Sequence, residues 1–215
     1  TVYMTLTEIF AFVAALFSMM NPIGGVGIFA GMTSQINSME ATLTARKCAL
    51  AAAITLLIVI WAGGAMLKLF GITVDEIRTA GGLIVLLIGL NMLFNKDDHK
   101  TSSDETTTSD PSDSIAVVPL AIPLVAGPGT MATVLVAAQH HAGMVAKIEL
   151  SVATLGICLL TGVLFSFAKP IASKLGASGM AVVSRVMGMV LMAIAVGMLS
   201  EGITGMFPSL AVHKP

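Results

Sequence analysis

Six stretches of the chain are almost unbroken runs of apolar residues, at roughly Leu6–Met32, Cys48–Phe70, Ile77–Phe94, Ile115–Ala138, Leu150–Ala168 and Met180–Phe207. About 20 apolar residues carry a helix across the hydrocarbon of a bilayer. None of the runs shows the period-two alternation of a membrane barrel, so the pattern predicts six transmembrane helices. The first run is too long for the hydrocarbon at about 1.5 Å per residue, and a tilt or a break must absorb the excess. Polar positions gather in the connections. The longest, Asn95–Ser114, is rich in Asp, Ser and Thr and holds Pro111; it reads as a flexible acidic loop with too little apolar content for a core. It divides the spans three and three.

Proline and glycine interrupt the first and fourth runs at matching places. The first break is Asn21-Pro22-Ile23-Gly24-Gly25 and the second is Ala126-Gly127-Pro128-Gly129, with Pro22 and Pro128 106 positions apart. Proline removes a backbone donor and clashes with the preceding turn, and glycine costs about 1 kcal/mol in a helix interior. In hydrocarbon the freed backbone groups meet no water, so such breaks persist where protein or a wet cavity receives them. Arg78 precedes Gly81 and Arg185 precedes Gly188 at the same spacing, and the two arginines lie 107 positions apart. Two matches at nearly one offset point to a duplicated unit. Each unit has an odd number of spans, so the second enters the membrane upside down. The predicted fold is therefore an all-α integral membrane protein, a 3+3 inverted repeat of residues 1–94 and 115–215 joined by the loop 95–114, with the first and fourth helices broken.

Composition agrees with a membrane setting. The chain is 56% hydrophobic and 11% charged with a mean hydropathy of +0.94, against roughly 25% charged residues in soluble domains. The net charge of −1 and the lack of a basic cluster give no reason to expect nucleic acid. Thr1 opens no charged n-region, so the first span is expected to be retained rather than cleaved. Arg46, Lys47, Lys96, Lys100, Lys169, Lys174 and Arg185 fall on one side and Lys68, Arg78, Lys147 and Lys214 on the other. This bias predicts both termini outside and the acidic loop in the cytoplasm.

The breaks define the candidate chemistry. A helix beginning at midplane presents unpaired N–H groups and a partial positive charge, suited to a carboxylate. The expected donors are the amides of Gly24 and Gly25 in the first half and of Gly129 and Thr130 in the second. Glycine lets a ligand approach the backbone without a Cβ in the way. Asn21 adds an amide that donates and accepts, whereas Gly127 at the matching position leaves that wall smooth. A small zwitterion fits such a pocket. The alternative is that both motifs are kinks for helix packing, since glycine is frequent in membrane helices.

Other residues have ordinary readings. Arg78 and Arg185 begin spans and are placed to snorkel to the interface. Glu8 and Glu201 lie near membrane ends, solvated or, alternatively, proton-coupling. Asn91 reads as a helix-bridging residue and His140-His141 as an exposed loop pair. Cys48 and Cys158 fall in apolar runs as small hydrophobes, and the scattered methionines read as core filling. No nucleophile–base pair, paired carboxylates, phosphate loop or metal-ligand set emerges, so neither catalysis nor a cofactor is expected.

These segments resemble the MarC/SnatA family of inner-membrane proteins, within the LysE-type exporter superfamily. Asn21-Pro22-Ile23-Gly24, Phe70-Gly71-Ile72 and Arg78-Thr79-Ala80-Gly81-Gly82 carry the likeness in the first half. Val118-Pro119-Leu120-Ala121-Ile122-Pro123-Leu124-Val125-Ala126-Gly127-Pro128-Gly129 is the most specific run, and Arg185-Val186-Met187-Gly188 and Gly202-Ile203 complete it. Thr79 departs from the aliphatic residue usual there. The resemblance implies a multi-pass transporter of a bacterial or archaeal inner membrane, with export the usual direction and small neutral amino acids such as glycine and alanine as substrates. It implies that Asn21, Pro22, Gly24 and Gly25 with Ala126, Gly127, Pro128, Gly129 and Thr130 carry the site.

The leading expectation is thus a secondary exporter of small neutral amino acids, coupled to a proton or sodium gradient. An uncoupled small-solute channel is the alternative, and a membrane scaffold without transport is a third.

Overall fold

The computed structural model describes residues 4–94, 125–141, 143–207 and 209. The loop 95–114 and the upstream part of the expected fourth span lie outside the described residues. Among the described residues seven helices follow in order: α1 Leu6–Met20, α2 Pro22–Met32, α3 Ser38–Phe70, α4 Val74–Phe94, α5 Pro128–His140, α6 Met144–Ser166 and α7 Ala168–Met206. Among the described residues five segments are long and apolar enough to cross a membrane: Leu6–Met32, Ser38–Phe70, Val74–Phe94, Met144–Ser166 and Ala168–Met206.

Local chemistry sets the helix ends. Thr5 and Glu8 form a capping box at the start of α1, and Asn37 and Glu40 do the same for α3, each satisfying donors that a helix start leaves unpaired. Gly71 ends α3 in the left-handed region at φ 67°, where a Cβ is costly. Helix α3 has 33 residues, about 50 Å at 1.5 Å per residue, and so continues well past a hydrocarbon core of about 30 Å. Its polar first turns, which begin ten residues before the expected Cys48 start, extend beyond the apolar run. Helix α7 likewise starts earlier than the expected Met180. It is bent at Gly176, whose φ of 64° and ψ of 176° leave helical geometry between Ala168 and Met206.

Two antiparallel pairs make the frame. Helix α4 packs along α7, and α3 along α6. Glycine sets the first seam at backbone contact: a methyl group on Gly89 would lie 2.9 Å from the Gly188 carbonyl oxygen, and one on Gly82 would lie 3.1 Å from that of Ala195. In hydrocarbon, where apolar side chains gain little by leaving lipid, such close packing is a principal source of helix association. The second seam brings Gly162 against Ala49 and lets Trp61 Nε1 donate to Ser151 Oγ at 3.2 Å. Helix α2 lies on α7 and α6, and α5 on α4 and α3. Phe29 and Phe165 stack at 4.8 Å to fix α2 on α6. The main core is apolar, built on Leu16, Met20, Phe29, Leu56, Ile60, Val134, Leu150 and Phe165. A smaller cluster of Met19, Val85, Leu191 and Ala195 lies beside the breaks.

Candidate functional site

The first break is a pivot one residue long. Helix α1 ends at Met20 and α2 starts at Pro22; between them Asn21 adopts φ 44° and ψ 54°. Asparagine is among the few residues that enter this left-handed region readily. The Asn21 N–H still donates to the Phe17 carbonyl at 3.0 Å, and its own carbonyl accepts from Gly25 N–H at 2.9 Å. The chain therefore turns without a long unwound stretch. Asn21 Oδ1 accepts from the Gly24 amide at 3.1 Å and caps α2. The amides of Gly24 and Gly25, expected to face a ligand, are thus already engaged, and a methyl on Gly24 would strike the Asn21 side chain. The side-chain donor left at this break belongs to Asn21 itself. It is 9% exposed, and its Nδ2 meets the Met92 sulfur at 3.5 Å, a weak acceptor.

The second break is built differently. Gly127 caps α5 in extended geometry, φ −66° and ψ 170°, with no side-chain cap. The Gly127 carbonyl accepts from Met131 N–H at 2.9 Å. The amides of Gly129 and Thr130 find no acceptor among the described residues, and both residues are buried. The Thr130 hydroxyl turns back to the Val125 carbonyl at 3.3 Å. What the absent side chain at Gly127 leaves open is the pair of N–H groups themselves.

Both breaks meet in one cavity of about 170 Å³. Its walls include Asn21 and Gly25 from the first and Gly127, Gly129 and Thr130 from the second, closed by Met19, Val85, Met92 and Leu191. Pro22, Gly24, Ala126 and Pro128 do not line it; they shape the turns behind it. Drug-sized ligands occupy pockets of roughly 300–1,000 Å³, so this space suits only a small solute. Among the described residues no aromatic ring is in its walls. A larger space, about 600 Å³, lies elsewhere, between α3 and α6. Apart from Arg46 its walls offer a polar solute little, because the hydroxyls of Thr42 and Ser166 donate to carbonyls of their own helices.

The model of the MarC family of integral membrane proteins matches residues 6–207. The chain belongs to this family. It is 37% identical to the UPF0056 membrane protein YvbG of Bacillus subtilis (strain 168), over 91% of this chain and 94% of that one. It is 34% identical to YhcE of Escherichia coli (strain K12), over 94% of each, and 36% identical to MJ1677 of Methanocaldococcus jannaschii, over 89% of this chain and 94% of that one. No solved structure matches the chain. MarC-family chains of this length thus occur in bacteria and archaea as multi-pass membrane proteins.

Sequence reasoning about this MarC chain missed a second polar group. Arg78, read as a snorkelling residue, has a side chain only 14% exposed. Its Nη2 donates to His140 Nε2 at 2.9 Å, and its Nη1 lies 3.4 Å from Glu201 and 3.7 Å from Asp75. A signal was available: in the expected topology the start of the third span and the end of the fourth share one membrane face. Arg185, its match at the start of the last span, is exposed, as is Asn91. Cys48 and Cys158 are both buried and unpaired.

Proposed function

We propose that this protein is a secondary transporter that exports small neutral amino acids of the glycine and alanine kind by alternating access, coupled to a proton or sodium gradient. The observation that carries the reading is that three donors belong to the walls of one small cavity: Asn21 Nδ2, which among the described residues meets only a thioether, and the amides of Gly129 and Thr130. A substrate carboxylate is the acceptor such a group calls for. The size of the space and its apolar walls favour a short side chain.

The same reading takes the fold as a 3+3 inverted repeat of residues 1–94 and 115–215. Support comes from the α4–α7 seam, where Gly82 meets Ala195 and Gly89 meets Gly188. Shifting each partner by the 107-residue offset exchanges the two contacts to within one residue. The packing of α2 on α7 and of α5 on α4 is the same relation with the halves exchanged. Alternating access by rocking one repeat against the other follows from such an arrangement.

Reconstitution into liposomes tests the function. Saturable counterflow of glycine and alanine is expected, with net flux responding when the proton or sodium gradient is imposed alone, and with methylamine inert. Flux without trans-stimulation would instead favour the uncoupled channel. Orientation is tested apart from function. With the termini outside a bacterial or archaeal inner membrane, a cysteine placed in the loop 95–114 should be protected from an impermeant thiol reagent in intact cells. Labelling there would reverse the assignment.

A further inference from the structure

A second cavity, about 330 Å³, lies toward the membrane face that carries the start of α1 and the α5–α6 turn. Four helices bring ionisable groups to it: Glu8 from α1, Arg78 from α4, His140 with the adjoining His141 from α5, and Glu201 from α7. Arginine is a donor only, so His140 Nε2 must accept, which leaves His140 neutral with its proton on Nδ1. That bond is the only one of hydrogen-bond length that the guanidinium makes among the described residues; the Glu201 and Asp75 contacts are longer. Arg78 is therefore a largely enclosed cation with N–H groups to spare. Glu8 Oε2 is taken by the Thr5 amide at 2.7 Å and the Thr5 hydroxyl at 2.8 Å, and the Glu201 side chain is 70% exposed. One cation and two accessible carboxylates around a common space match the charges of an amino-acid zwitterion.

This cavity stands in line with the one at the breaks. Along α1 its walls are Glu8, Ala11, Phe12 and Ala15, and the next turn supplies Met19 and Met20 to the inner cavity. Along α5 they run His140, Ala137 and Thr133, followed by Thr130 and Gly129. These steps of three and four keep to one helix face. Helices α4 and α7 also contribute to both. Met19, Val85 and Leu191 of the apolar cluster with Ala195 line the inner space and are absent from the walls of the outer one.

We propose that the outer cavity is a second, weaker binding site for the amino-acid zwitterion, in which the substrate carboxylate takes the place of Glu201 on Arg78 while its ammonium faces Glu8 and Glu201. In this proposal the Met19–Val85–Leu191 layer partitions this site from the inner one. The substrate class rests on the transport reading above. The site has its own geometry and its own test. Direct binding of glycine and acetate to purified protein is measured in a variant whose inner cavity is filled, Gly129→Val with Val85→Ala. One weak site should remain. Arg78→Gln should weaken it at least 10-fold and Arg78→Lys less, whereas Arg185→Gln should leave it unchanged. Glu201→Gln should tighten acetate binding several-fold by removing the competing carboxylate, a gain that mere structural damage does not produce. Absence of residual binding in the filled variant, indifference to Arg78→Gln, or weaker acetate binding in Glu201→Gln would overturn the site. Binding as described without transport by the wild type would overturn the transport reading instead and leave this site standing.

Discussion

Gly129→Val combined with Val85→Ala should leave a folded membrane protein whose inner cavity no longer binds an amino acid. A side chain at position 129 runs directly into Val85 and approaches the Met19 sulfur at 3.7 Å, both walls of the cavity. On its own, Gly129→Val overpacks that spot, and a cost of about 1–3 kcal/mol in stability is the usual scale. Trimming Val85 to alanine relieves that overlap while the added side chain stays at the cavity wall, so the double variant separates failure to fold from failure to bind. The lost contacts are two amide hydrogen bonds to a carboxylate. Each such bond is worth about 1.5–3 kcal/mol, so a loss near 3 kcal/mol or more, at least about 100-fold in affinity, is expected. Calorimetry with glycine and alanine gives the affinity and thermal unfolding in detergent gives the stability. Glycine affinity within a few-fold of wild type in the folded double variant would show that the break at Pro128 is a packing kink.

Asn21 has two tasks that two substitutions take apart. Asn21→Ala removes the cap on Gly24, typically about 1 kcal/mol, and forces an L-residue without a polar side chain into the left-handed region, costing roughly another 1–2 kcal/mol. Asn21→Gly accepts that backbone freely, and glycine loses only a few tenths of a kcal/mol as a cap. Both variants lose the Nδ2 donor. Thermal stability should therefore fall clearly in Asn21→Ala and little in Asn21→Gly, while glycine affinity falls about 5- to 30-fold in both, the scale of one polar contact of about 1–2 kcal/mol. Full affinity in Asn21→Gly would assign Asn21 to bracing the turn alone.

The helices were legible because hydrocarbon demands long apolar runs with every backbone group bonded internally. The break at Asn21 was legible for the same reason: a proline and two glycines in such a run need an explanation. Its geometry was not. Whether an asparagine before a proline unwinds the chain or caps it depends on one torsion angle, and φ 44° turns the Asn21 carboxamide onto Gly24. This closed the Gly24 amide, while Gly25 bonds the Asn21 backbone carbonyl. At the second break, with no side chain on Gly127, the amides of Gly129 and Thr130 stay open among the described residues, so the asymmetry between asparagine and glycine mattered more than the likeness of the motifs. The starts of α3 and α7 were also hidden from hydropathy, because their polar turns continue the helix past the apolar run. The Arg78–His140 pairing joins residues 62 positions apart and becomes visible only when the spans are set side by side.

The α4–α7 seam has a consequence for the order in which the protein is made. Helix α4 belongs to the first half and α7 to the end of the second, yet they meet backbone to backbone at Gly89 and Gly188. Helix α2 also waits for α7, and α5 lies on α4. During synthesis the first half is inserted while its principal partner is still unmade, and lipid must cover the glycine face of α4 through that interval. Neither half is a self-contained folding unit; the molecule closes when its last helix arrives.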